Sequence, residues 1–74
     1  MNNNSRKLQV AFNERHRSLL QDGYRNIIDY NTKEYRYIKL RHANGNYVSI
    51  IAYYRIGYLV QRTNGVITHD EKVC

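Results

Sequence analysis

Apolar residues recur every three to four positions from Leu8 to Leu20, and from Tyr24 onward every second position, so the chain changes period once, at Gly23. The first pattern places Leu8, Ala11, Phe12, Arg15 and Leu19 on one stripe, with His16 and Leu20 beside it, as an amphipathic helix requires. Asn4 or Ser5 is suited to cap it, since a short side-chain oxygen can accept from the first free amides. Asp22-Gly23 suits its end, because glycine adopts the left-handed conformation there at little cost. We therefore expect a helix over 5–22, fraying over 1–4, and Arg6, Glu14, Arg17 and Gln21 facing water.

The second pattern divides at turn residues. Tyr24–Tyr30, Tyr35–His42, Tyr47–Tyr54, Tyr58–Thr63 and Val66–His69 read as short strands, separated by Asn31–Glu34, Ala43–Asn46, Ile56-Gly57 and Asn64-Gly65. Asn-Gly is the strongest short hairpin signal, since both central residues of a type I′ turn have positive φ. No proline interrupts the run, as a paired sheet demands. The fold class expected is α+β: one N-terminal helix on an antiparallel meander of four to five strands over 24–69, with a tail over 70–74.

Two-residue turns fix a register. With Asn44-Gly45 as such a loop, Leu40 faces Ser49, Ile38 faces Ile51 and Arg36 faces Tyr53. With Ile56-Gly57 and Asn64-Gly65 likewise, Tyr53 faces Val60 and Arg62 faces Ile67. One face would then carry Ile38, Leu40, Ile51, Tyr53, Val60 and Ile67. The other would carry Tyr37, Val48, Ile50, Ala52, Tyr54 and Leu59 with Lys39 and Arg41. Tyr53 would lie under the helix, and Tyr37 and Tyr54 would be more accessible. A single helix covers one face, so Val48, Ile50, Tyr54 and Leu59 are expected to form an exposed apolar interface, most simply a two-fold homodimer through the uncovered face or edge. A slip of one residue would exchange the faces.

Composition narrows the choices. A chain of 74 residues makes one domain with a thin core. The single cysteine, Cys74, cannot close an intrachain disulfide, and no Cys/His spacing suits structural zinc. His69, Asp70, Glu71 and Cys74 cluster but match no metal pattern, so neither metal nor cofactor is expected. No apolar run approaches the ~20 residues that span a bilayer. Met1–Ser5 leads through Arg6-Lys7 into no apolar leader core, so a cytoplasmic location and no membrane partner are expected. The helix is basic, but its apolar stripe is narrow and a core role explains it better than lipid binding.

Charge brings function into view. The chain has 12 basic against 6 acidic residues, a formal +6. Between Tyr35 and His69 there is no carboxylate, while Arg36, Lys39, Arg41, Arg55 and Arg62 share the stretch with six tyrosines (Tyr35, Tyr37, Tyr47, Tyr53, Tyr54, Tyr58). Arginine favours bidentate partners such as phosphate, and tyrosine offers a platform on which a base can stack. Tyrosine is also a good strand former whose rings pack across strands, so a purely structural role accounts for the same residues at least as well. We expect a non-enzymatic module that contacts RNA, DNA or a nucleoprotein through Tyr35, Tyr37, Lys39, Arg41, Arg55 and Arg62. The alternative is a protein-interaction factor, an inhibitor or accessory subunit of the kind phages and mobile elements encode, acting through the exposed apolar sheet face; the basic residues themselves suit an acidic protein surface as well as nucleic acid. A third reading is a metal-independent ribonuclease using His16, His42 or His69, chemistry that needs a constellation the sequence alone does not assemble.

Overall fold

The computed structural model describes residues 3–74. Helix α1 spans Asn3–Gln21, followed by strands β1 (Arg25–Asn31), β2 (Tyr35–Arg41), β3 (Tyr47–Tyr53), β4 (Tyr58–Thr63) and β5 (Val66–Lys72). All pairings are antiparallel, in the order β1-β2-β3-β4-β5, which is the expected α+β meander. Asn4 and Ser5 lie inside the first turn of α1 rather than ahead of it. Of the residues expected to fray, Met1 and Asn2 lie outside the described residues. The expected tail is largely strand: β5 continues through Asp70, Glu71 and Lys72, and Val73 packs against the core.

The helix ends as its sequence dictates. Gly23 has φ +98°, and the amides of Gly23 and Tyr24 bond back to the carbonyls of Leu20 and Leu19 at 3.1 and 3.0 Å. That is the Schellman arrangement, which satisfies carbonyls the helix would otherwise leave open. His42 then fastens this end to the sheet. Its Nε2 lies 3.1 Å from the Asp22 carbonyl, its Nδ1 accepts from the Asn44 amide at 3.0 Å, and Tyr24 meets its ring edge-on. This pair of bonds assigns the proton to Nε2.

The three later turns differ from one another, and those differences set the faces. At Asn64-Gly65 both residues have positive φ, 52° and 83°, and Thr63 pairs with Val66, as a type I′ hairpin should. At Asn44-Gly45 only Gly45 is left-handed, at +96°. His42 accepts from the Gly45 amide and its own amide donates to the Asn46 carbonyl, so the loop is three residues, Ala43–Gly45, in a type I turn closed by a glycine bulge. The register therefore moves by one: Leu40 pairs with Val48 and Ile38 with Ile50. At the β3–β4 turn the loop is four residues rather than two, so Tyr53 pairs with Tyr58 and Ile51 with Val60. A shift of two leaves side chains on their face; a shift of one exchanges them.

The expected faces are corrected accordingly. Val48, Ile50, Ala52 and Leu59 do not form an exposed interface; they join Ile38 and Leu40 beneath Leu8, Phe12 and Leu19 of α1. Tyr54 packs against the same core and its hydroxyl donates to Asn31 Oδ1 at 2.8 Å. Tyr53, Ile51, Val60 and Ile67 move to the opposite face with Tyr37, Lys39 and Arg41. Each large side chain in this core contributes about 1.5–3 kcal/mol on burial. Among the described residues no polar or charged residue is buried with them.

Candidate nucleic-acid interface

In an antiparallel pair, residues opposite one another share a face. The register thus gives the content of the face turned away from α1. β1 supplies Arg25, Ile28 and Tyr30; β2 supplies Tyr35, Tyr37, Lys39 and Arg41; β3 supplies Tyr47, Ser49, Ile51 and Tyr53. β4 adds Tyr58, Val60 and Arg62, and β5 adds Ile67, Asp70 and Lys72. Six tyrosines and five cations therefore meet a single carboxylate, Asp70, at one edge.

These residues are sorted by position along the strands. Near the two Asn-Gly turns lie Arg25, Arg41 and Tyr47, then the cross-strand row Lys39, Ser49, Arg62. Toward the other end lie Tyr30 and Tyr37, then the row Tyr35, Tyr53, Tyr58. The face has a cationic end and a phenolic end.

At the cationic end the Tyr47 ring is shared by two cations, with Lys39 Nζ 5.0 Å and Arg41 Cζ 5.4 Å from its centroid. Such contacts hold long side chains in place without neutralising them. None of Lys39, Arg41 and Arg62 forms an ion pair among the described residues. The turns beneath are tied together: Asn64 accepts from the Tyr47 amide at 2.9 Å and its Nδ2 donates to Asn46 Oδ1 at 3.3 Å. Local asparagine chemistry thus positions the cations.

At the phenolic end Tyr30 and Tyr37 stack, with centroids 6.3 Å apart and planes 28° from parallel. Tyr30 is 57% exposed, an open ring at the edge of the sheet. The Tyr58 phenol is held above its ordinary value of 10.0, first by partial burial and then by Asp70, which repels the phenolate and accepts a hydrogen bond from the phenol. Val60 is only 7% exposed yet lies outside the core cluster, because the side chains around it on this face shield it.

Of the residues singled out from sequence, Tyr35, Tyr37, Lys39, Arg41 and Arg62 are brought onto this face, and Arg55 is not; it lies in the β3–β4 turn. Arg36 points to the helix side, where its guanidinium sits 4.8 Å from the Phe12 centroid and donates to Asn13 Oδ1. Arg25, Tyr30, Tyr47, Ser49, Tyr53, Tyr58 and Lys72 belong to the face although sequence reasoning did not assign them to it. The histidines lie elsewhere and apart: His16 bonds Asn26 at 2.8 Å, His42 closes the helix end, and His69 meets Glu71 at 3.2 Å. Among the described residues, no group of His, Cys, Asp and Glu is arranged to hold a metal ion, and no helix is long and apolar enough to cross a membrane.

No protein-family model matches the chain, and neither a curated protein nor a solved structure is significantly similar to it.

Proposed function

We propose that the protein is a small non-enzymatic module that binds nucleic acid through the uncovered face of its sheet. One observation carries the reading: the face left free by α1 gathers six tyrosines and five cations around a single carboxylate. Planar rings that stack on any base, and cations that follow phosphates, are the two elements of sequence-tolerant binding. An acidic protein would satisfy the cations but would give an array of phenol faces less to do.

The reading is tested by titrating labelled RNA and DNA at several salt concentrations. Each phosphate neutralised steepens the slope of log K against log salt by roughly 0.7–0.9. Replacing Lys39 and Arg41 together by alanine is expected to flatten that slope by about 1.5. Binding that is absent at 50 mM salt, or that ignores salt, overturns the reading.

Self-association is a second reading, favoured by the sheet edges rather than by its face. β1 is exposed along its whole length, and Ile27 and Ile28 on it are 50% and 36% exposed. An apolar edge strand with unpaired backbone groups is a template for a second strand. A two-fold dimer pairing β1 with β1 would keep the two basic faces available. Light scattering at micromolar concentration should then give twice the chain mass, and Ile27→Lys should return it to the monomer value. A monomeric wild-type chain rules this pairing out.

A further inference from the structure

At the cationic end of the face the cross-strand row Lys39–Ser49–Arg62 forms the floor and sides of a concavity of about 370 Å³, completed by Tyr47, Val48 and the Asn64-Gly65 turn. Three features make this a seat for an anion rather than a gap between side chains. Its lining carries two cations and no carboxylate, and neither cation is engaged in an ion pair. Ser49, the one small side chain in the middle of the face, leaves room between them. Its hydroxyl, which no described residue engages, adds a donor on the floor that is open to a ligand. A tetrahedral oxyanion accepts from a hydroxyl, an ammonium and a guanidinium at once, the guanidinium in bidentate fashion.

The surroundings say what the anion is attached to. Tyr37 and Ile51 lie one cross-strand row further along the strands, about 7 Å at ~3.4 Å per residue, and Tyr35, Tyr53 and Tyr58 lie about 14 Å away. On the other side of the seat stands Tyr47 with Arg41. We propose that the Lys39–Ser49–Arg62 seat holds one backbone phosphate of a single-stranded nucleic acid, whose adjoining bases stack on Tyr37 and the tyrosines beyond it. This rests on the nucleic-acid reading above and adds two things to it: the form of the ligand and its orientation. Bases of a duplex are stacked on one another and cannot meet the phenol rings, so the ligand is a single strand. Its phosphates lie toward the Asn-Gly turns and its bases toward the phenolic end.

The test uses the full chain and fluorescein-labelled dT12 and U12, the duplex of the same length, and inorganic phosphate as competitor. The wild type is expected to bind either single strand at least about tenfold more tightly than the duplex. Ser49→Asp sets a carboxylate between the two cations, and its affinity for dT12 should fall about tenfold or more, with the salt slope flatter by about 0.7. Ser49→Ala, which removes only the hydroxyl, should lose a few-fold. Millimolar phosphate should compete with dT12 on the wild type and not on Ser49→Asp. If Ser49→Asp does not fold by circular dichroism, Lys39→Gln with Arg62→Gln supplies the same readouts. The outcomes separate cleanly. No binding of any nucleic acid overturns the underlying reading. Binding that survives Ser49→Asp or the double glutamine variant with an unchanged slope overturns the seat. Equal affinity for duplex and single strand overturns the ligand form.

Discussion

Replacing Tyr37 and Tyr53 together by leucine is expected to lower affinity for a single-stranded oligonucleotide by about 30-fold or more while leaving its salt dependence unchanged. The two residues stand on adjacent strands of the uncovered face, Tyr53 opposite Tyr35 and Tyr37 opposite Ile51. Each stacked base contributes roughly 1–3 kcal/mol, so two lost platforms remove at least about 2 kcal/mol. Leucine keeps an apolar body against the neighbouring strands, which confines the loss to the π-face. Phenylalanine at both positions should restore most of the affinity, since it keeps the ring and removes only the hydroxyl. Anisotropy titrations at two salt concentrations check both halves of the expectation. If the leucine pair flattens the salt slope as strongly as replacement of Lys39 and Arg41, the phenols act by placing cations and not by stacking. If affinity does not change, the tyrosines belong to the sheet alone.

How far this surface could be read in advance turns on a single loop. The alternation Tyr35, Tyr37, Lys39, Arg41 is a property of one strand, and any pairing keeps those four together. Which residues of β3 join them depends on whether Asn44-Gly45 spans the turn alone or with Ala43. Both solutions use the same letters, because Asn-Gly serves a type I′ turn and a glycine-bulged three-residue loop alike. The two-residue solution put Val48, Ile50 and Leu59 opposite the core and left both faces half apolar. The three-residue loop puts Ile38, Leu40, Val48, Ile50, Ala52 and Leu59 together on the helix side and leaves the other side to the phenols and most of the cations, with Ile51, Val60 and Ile67 among them. That segregation is itself a signal: of two registers one residue apart, the one that gathers the most large apolar side chains under the helix is favoured by burial. The helix and the strand order needed no such choice, because the period admitted one answer there, and at Asn64-Gly65 the two-residue solution is the one the chain adopts. The Ser49 seat was out of reach, since it is made only when Lys39, Ser49 and Arg62 fall into one row across three strands.

The surface in turn depends on what lies beneath it, and Phe12→Ala is expected to take away most of the fold's stability. Phe12 is 1% exposed at the centre of the single helix face that covers β2, β3 and β4. Truncating a buried phenylalanine costs about 3–5 kcal/mol, the transfer term and the cavity together. A fold of 74 residues with a single cysteine has in total about 4–11 kcal/mol at 0.05–0.15 per residue. The Arg36 guanidinium over the ring adds to the loss, because its Nε is buried without a hydrogen-bond partner and the ring's face is what offsets its burial. Phe12→Leu separates these contributions. It keeps most of the volume, and about 1.5 kcal/mol or less is expected to go with the shape change, plus about 0.5–2 kcal/mol for the lost cation–π contact. Urea titration followed by far-UV circular dichroism should therefore show the leucine variant with a lowered midpoint and the alanine variant with a midpoint lowered much further, toward zero denaturant. Binding should follow the fold: retained with the same salt slope in Phe12→Leu, and reduced in Phe12→Ala by the fraction unfolded. An alanine variant that unfolds near the wild-type midpoint would mean that the sheet holds its register without the helix. The apolar face would then owe its exclusion from water to something other than Phe12.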